Sequence, residues 1–147
     1  MLNHCQRCVC LFALLIAAAA VSPAGAGESF PFGSELMLDT SPINGSKRIP
    51  MLEIEDDGSA SIDLWCESLR GQATVTDDSI TIVPGQPASL IPGQAVTDPP
   101  AVQCDPDRQA SDAALVSVLS QVTKWRRSGD VVELSGPTTL RYRLMTN

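Results

Sequence analysis

Only two cysteines, Cys66 and Cys104, remain once the apolar start of this chain is set aside, and they constrain its fold more than any other feature. The start is recognisable. Arg7 and the amino terminus give a weakly positive opening, and an apolar run of about 13 residues follows from Val9 to Val21. Ser22-Pro23 breaks the run, and Ala24-Gly25-Ala26 places small residues where a signal peptidase reads them. The pattern is that of a secretory signal over residues 1–26, cleaved before Gly27. A run this short falls below the roughly 20 residues needed to cross a hydrocarbon core. No integral membrane segment is therefore expected after cleavage, an uncleaved anchor being the alternative. No cysteine follows the run at a lipid-attachment position, so the expected location is periplasmic or secreted.

Cys5, Cys8 and Cys10 belong to that leader, where Cys5-x-x-Cys8 imitates a redox or metal motif by chance. Cys66 and Cys104 are then an even pair in an oxidising compartment, which predicts a disulfide. The bond would close a loop of about 38 residues, contributing about 3.5–4 kcal/mol in the chain-entropy treatment. Small domains have net stabilities of only about 5–15 kcal/mol, so such a staple is a large share. The alternative is two separate buried thiols.

Losing residues 1–26 removes one basic residue, Arg7, and moves the formal charge from −7 to −8. An acidic domain without a basic stripe repels phosphate backbones, so nucleic acid is excluded as a partner. Residues 27–147 suffice for one domain with one core.

Gly27 to Phe32 reads as a short mobile segment. Ser34–Asp39 and Met51–Glu55 read as strands, the second alternating Leu52 and Ile54 with Glu53 and Glu55. That period of two is the mark of a strand with one wet face. Asp56-Asp57-Gly58 is hairpin chemistry, and Ala60–Trp65 alternates again. Gln72–Thr76 and Ser79–Val83 flank Asp77-Asp78 as a second hairpin. Pro84 to Pro100 carries five prolines and breaks the pattern, so it predicts a long loop rather than a central strand or helix. Asp105 suits an N-cap and Pro106 the first helical position. Ala114, Leu115, Val118, Leu119 and Val122 recur at helical spacing, with Lys124, Arg126 and Arg127 placed to complement the negative helix end. Val131–Leu134 and Leu140–Met145 close the chain as strands. The prediction is an α+β domain: a small antiparallel sheet of about seven strands, able to curl into a barrel, packed with one helix and stapled by one disulfide.

The order resembles the META (HslJ-like) family over roughly residues 30–146. Asp57-Gly58 matches its first hairpin, Cys66 the cysteine of its Gly-Cys-Asn motif, and Asp77-Asp78-Ser79 with Ile80-Thr81-Ile82 its middle hairpin. Cys104-Asp105-Pro106, the helix with Leu115 and Leu119, and Gly129-Asp130 leading into Val131–Leu134 match the rest. Trp65 and Glu67 stand where the family often has Gly and Asn, and the opening strand lacks the usual Trp, which marks a divergent member. The resemblance implies an exported envelope protein associated with stress tolerance, without an established enzymatic activity.

The residues themselves offer little catalytic chemistry. The single histidine, His4, lies in the leader, which removes histidine-dependent nucleophile arrangements and histidine metal sites. No P-loop, G-x-G-x-x-G run or nucleophile elbow is present, and a carboxylate pair assembled in space stays open. Glu53, Glu55, Asp57 and Gly58 copy the start of a calcium loop, but Leu64 stands where the bidentate Glu is required. No cofactor and no metal are expected. Trp65 lies opposite Ile62 and Leu64 in the alternation, so it either covers the disulfide or forms an exposed anchor in a partner surface. The basic spot at Lys47 and Arg48 could belong to the same surface. The leading expectation is a non-enzymatic envelope domain that contacts a protein partner or supports stress tolerance. The rivals are a secreted or periplasmic protease inhibitor, and a small-ligand binder or histidine-free hydrolase.

Overall fold

A computed structural model describes residues 28–43, 46–87 and 104–145. Residues 1–27, which include the expected leader, residues 44–45, residues 88–103, where most of the expected proline-rich loop falls, and residues 146–147 lie outside the described residues. The chain forms β1 (Leu36–Leu38), β2 (Met51–Ile54), β3 (Ser59–Asp63), β4 (Ser68–Val75), β5 (Ile80–Pro87), α1 (Pro106–Leu119), β6 (Lys124–Ser128), β7 (Val131–Ser135) and β8 (Thr139–Leu144). All strands pair antiparallel in one eight-stranded sheet, in the order β5-β4-β3-β2-β1-β8-β7-β6.

Two meanders are thus joined by their first and last strands, with Leu36 opposite Leu144 and Leu38 opposite Tyr142. The sheet curls into a half-barrel, and its two outer strands meet at one end. There Ser79 bridges Lys124, the Ile80 N–H donates to Thr123 O at 3.1 Å, and the Trp125 N–H donates to Asp78 O at 3.2 Å. The helix lies between these outer strands in the chain and packs on β5. Alternation supplies the inner surface: Leu52, Ile54, Ala60, Ile62, Ile80, Ile82, Val132, Leu134 and Tyr142 are all buried. The first hairpin turns at Gly58, whose φ of 84° suits glycine, and a Cβ there would sit 2.7 Å from the Ala73 carbonyl oxygen.

Four expectations need correction. The described residues form eight strands, in keeping with the expected sheet of about seven, and the strand not foreseen is Lys124–Ser128, β6. Lys124, Arg126 and Arg127 therefore do not sit at the helix end: α1 stops at Leu119, and its last turn holds no basic residue. Arg126 instead pairs with Glu133 across the sheet. The sequence hides this strand because Trp125 is its sole apolar residue. Secondly, β5 continues through Pro84 to Pro87 rather than breaking at Pro84. An outer strand pairs on one side only and tolerates proline. A register shift opposite Leu69 and Gly71 adds a bulge, where a Cβ on Gly85 would collide with the Arg70 carbonyl. Thirdly, the segment before β1 is held in place: Phe30 is buried against Trp125, with ring centroids 5.1 Å apart. Lastly, the inward face of α1 is Asp112, Leu115 and Leu119, whereas Ala114 is exposed and Val122 is buried beyond the helix end.

Candidate functional site

The residues singled out by sequence gather where β3 ends, β4 begins and α1 starts. A turn carries the chain from β3 to β4, closed by the Leu64 N–H donating to Glu67 O at 2.8 Å. Cys66 lies in that turn. Cys104 lies just before the helix, and the two are joined by a disulfide with Cα atoms 5.8 Å apart, within the usual range. Asp105 caps α1 as its type and position require, its Oδ1 accepting from the Asp107 N–H at 2.9 Å.

A second tie runs beside the disulfide. Asp112 is 4% exposed, and its two carboxylate oxygens accept from the Trp65 N–H and the Cys66 N–H, each at 3.0 Å. Burial pushes its carboxyl above the ordinary 3.8. The N–H groups of Cys66, Trp65 and Glu67 and the positive charge of Arg48 pull the other way. Helix and sheet are therefore joined here covalently and by a buried carboxylate. Sequence reasoning missed Asp112. The available signal was its spacing, three residues before Leu115 on the helix face that turns inward.

Trp65 requires a correction. It is buried, 7% exposed, and belongs to the core, so it is not an exposed anchor. Leu64 and Trp65 are both buried because the turn after β3 ends the strand alternation on which the outward placement rested. Its indole N–H has no hydrogen-bond partner among the described residues.

Lys47 and Arg48 are exposed as the sequence suggests. Arg48 reaches over the outer face of β3 and β4, its Nη2 donating to Ser68 Oγ at 3.4 Å and lying 3.9 Å from Asp63 Oδ1. The Ser68 hydroxyl donates to Asp63, and Arg70 donates to the Ser61 hydroxyl on the next paired position. The structure thus brings Arg48 together with Asp63, Ser68, Ser61 and Arg70, none of the last four having been singled out by sequence. Such a patch can offer charge-assisted hydrogen bonds to a partner's polar groups. Among the described residues no group of three or more His, Cys, Asp or Glu side chains is arranged to hold a metal ion, and no helix is long and apolar enough to cross a membrane.

The fold and this end of it define a class: among the described residues, a curled antiparallel sheet with one helix packed on it and stapled to it through a cysteine at a strand's end. No family model matches the chain, and no curated protein matches it. A protein whose structure was solved by NMR is similar, with a TM-score of 0.50 at 16% identity over 76% of this chain and 88% of that one. A likeness at that identity shows the fold alone.

Proposed function

We propose that this protein is an exported META/HslJ-like domain of a bacterial envelope that works by contact with a protein partner, not by catalysis. The observation that carries the reading is the polar patch of Arg48, Asp63, Ser68, Ser61 and Arg70 on the rigid outer face of β3 and β4, beside the disulfide. Partner surfaces draw on arginines presented from a fixed frame, and here the frame is anchored by Cys66–Cys104 and Asp112. The apolar leader supports export. The cysteine positions, one after the second hairpin strand and one before the only helix among the described residues, support the family resemblance. The carboxylate of Asp112 and the sulfurs of the cysteines are engaged in holding the fold together.

Photo-crosslinking in living cells tests this. A crosslinker placed at Lys47 or Glu67 should capture one defined envelope protein, and Arg48→Glu with Arg70→Glu should abolish the product. A crosslinker at Thr74, exposed on the far part of β4, should capture much less. Equal capture from all three positions, or none, contradicts the reading.

A further inference from the structure

A second feature lies away from the disulfide end, where the outer strands meet. Between the segment before β1 and the β4–β5 turn lies a groove of about 520 Å³, within the range of small-molecule sites. Its apolar side is formed by Phe30, Phe32, Val75 and Trp125, and its polar side includes Glu28 and Asp77. Phe30 meets Trp125 edge-on with centroids 5.1 Å apart and Phe32 at 5.0 Å. Phe32 is 38% exposed, a large aromatic surface open to solvent.

The walls are fixed by bonds that do not fill the groove. The Trp125 indole N–H donates to Thr76 O at 2.8 Å, so the indole has no donor left for a ligand. Glu28 accepts from the Gly129 N–H at 2.6 Å, and Arg127 donates to the carbonyls of Gly129 and Ser29 at 2.9 and 3.3 Å. Asp77 makes no ion pair among the described residues. Lys124 adjoins Trp125 in β6 but, by strand alternation, points to the opposite face.

Charge and surface together select the ligand. An anion would meet Glu28, Asp77 and the neighbouring Asp78 on a chain of net charge −7. A neutral apolar molecule would strip water from the carboxylates with no compensation. A hydrated metal ion would gain nothing from the aromatic side. An organic cation satisfies both sides: ring faces attract it, and the carboxylates balance its charge. We propose that this groove binds an organic ammonium group, with Phe32 as the ring beneath it and Asp77 as its counter-charge.

The test uses the disulfide-bonded protein, isotope-labelled for NMR, titrated with choline and with its neutral isostere dimethylbutanol. Choline should shift the Trp125 indole N–H and the Phe32 and Asp77 amides saturably while the Trp65 indole stays still. The neutral isostere should bind about fivefold more weakly, the value of a cation–π contact of roughly 1 kcal/mol. Asp77→Asn, a change in an exposed turn, should weaken choline several-fold and leave the remaining spectrum in place. Phosphatidylcholine vesicles form a second arm: a response at Trp125 to vesicles but not to free choline assigns the same ammonium group to a lipid headgroup. Equal affinity for choline and its isostere, or no response to choline and vesicles alike, overturns the proposal.

Discussion

Asp112 holds two backbone N–H groups with one carboxylate, and its removal has a calculable effect. Asp112→Ala leaves the Trp65 and Cys66 N–H groups without partners, at about 1–3 kcal/mol each, so denaturant unfolding of the oxidised protein should show a loss of about 2–6 kcal/mol. Asp112→Asn keeps one acceptor but turns an amide N–H toward the other donor, and about half that loss is expected. The pH dependence has a definite sign. Burial raises the Asp112 pKa above 3.8, so between 3.8 and its folded value the native state holds more protons than the unfolded chain. Its contribution therefore falls as pH rises through that window. The stability difference between the protein and Asp112→Asn should narrow as pH rises there; a constant difference contradicts the raised pKa. Asp57 acts oppositely, since hydrogen bonds from Ser59 lower its pKa. Asp112 was not legible in the sequence because a stripe defined by apolar residues passes over the polar residue sharing its face. Trp65 stays open between buried and exposed in the sequence, because the turn that buries it begins one residue earlier and ends the alternation.

At the scale of elements, legibility follows the strength of the alternation. Met51–Ile54, Ser59–Asp63, Val131–Ser135 and Thr139–Leu144 were readable because their inward residues are apolar and, Met51 and Val131 apart, their outward ones polar. The start of α1 was readable from Asp105-Pro106, whose capping needs no tertiary information. Strand β6 was not, since a segment reading Lys-Trp-Arg-Arg-Ser shows its period through one side chain. That side chain is decisive. Trp125→Ala removes a core residue, the edge-on contact with Phe30 and the bond to Thr76 O, and should cost about 3–5 kcal/mol. Hydrogen exchange in that variant should report the loss first at the backbone N–H groups of Ile80 and position 125, which join the two outer strands. Gly58→Ala forces a side chain into φ of 84° beside the Ala73 carbonyl and should cost at least about 1–2 kcal/mol; a neutral effect in thermal unfolding contradicts the turn described.

For the molecule as a whole, the half-barrel formed by the described residues is held at both ends by different means: the disulfide and Asp112 at one, the β5–β6 contacts and the edge-on Phe30–Trp125 pair at the other. Replacing Cys66 and Cys104 together by serine should lower stability by about 3.5–4 kcal/mol, yet leave the seam and its groove in place, as the Trp125 indole N–H resonance would report. Everything proposed about export and contact rests on the staple forming outside the cytoplasm in a chain trimmed of its leader. Intact-mass analysis of the protein recovered from its native cells, before and after reduction, tests that most directly. The expected mass is that of a chain beginning at Gly27 and lacking two hydrogens, regained on reduction; two free thiols, or a chain still carrying residues 1–26, would contradict it.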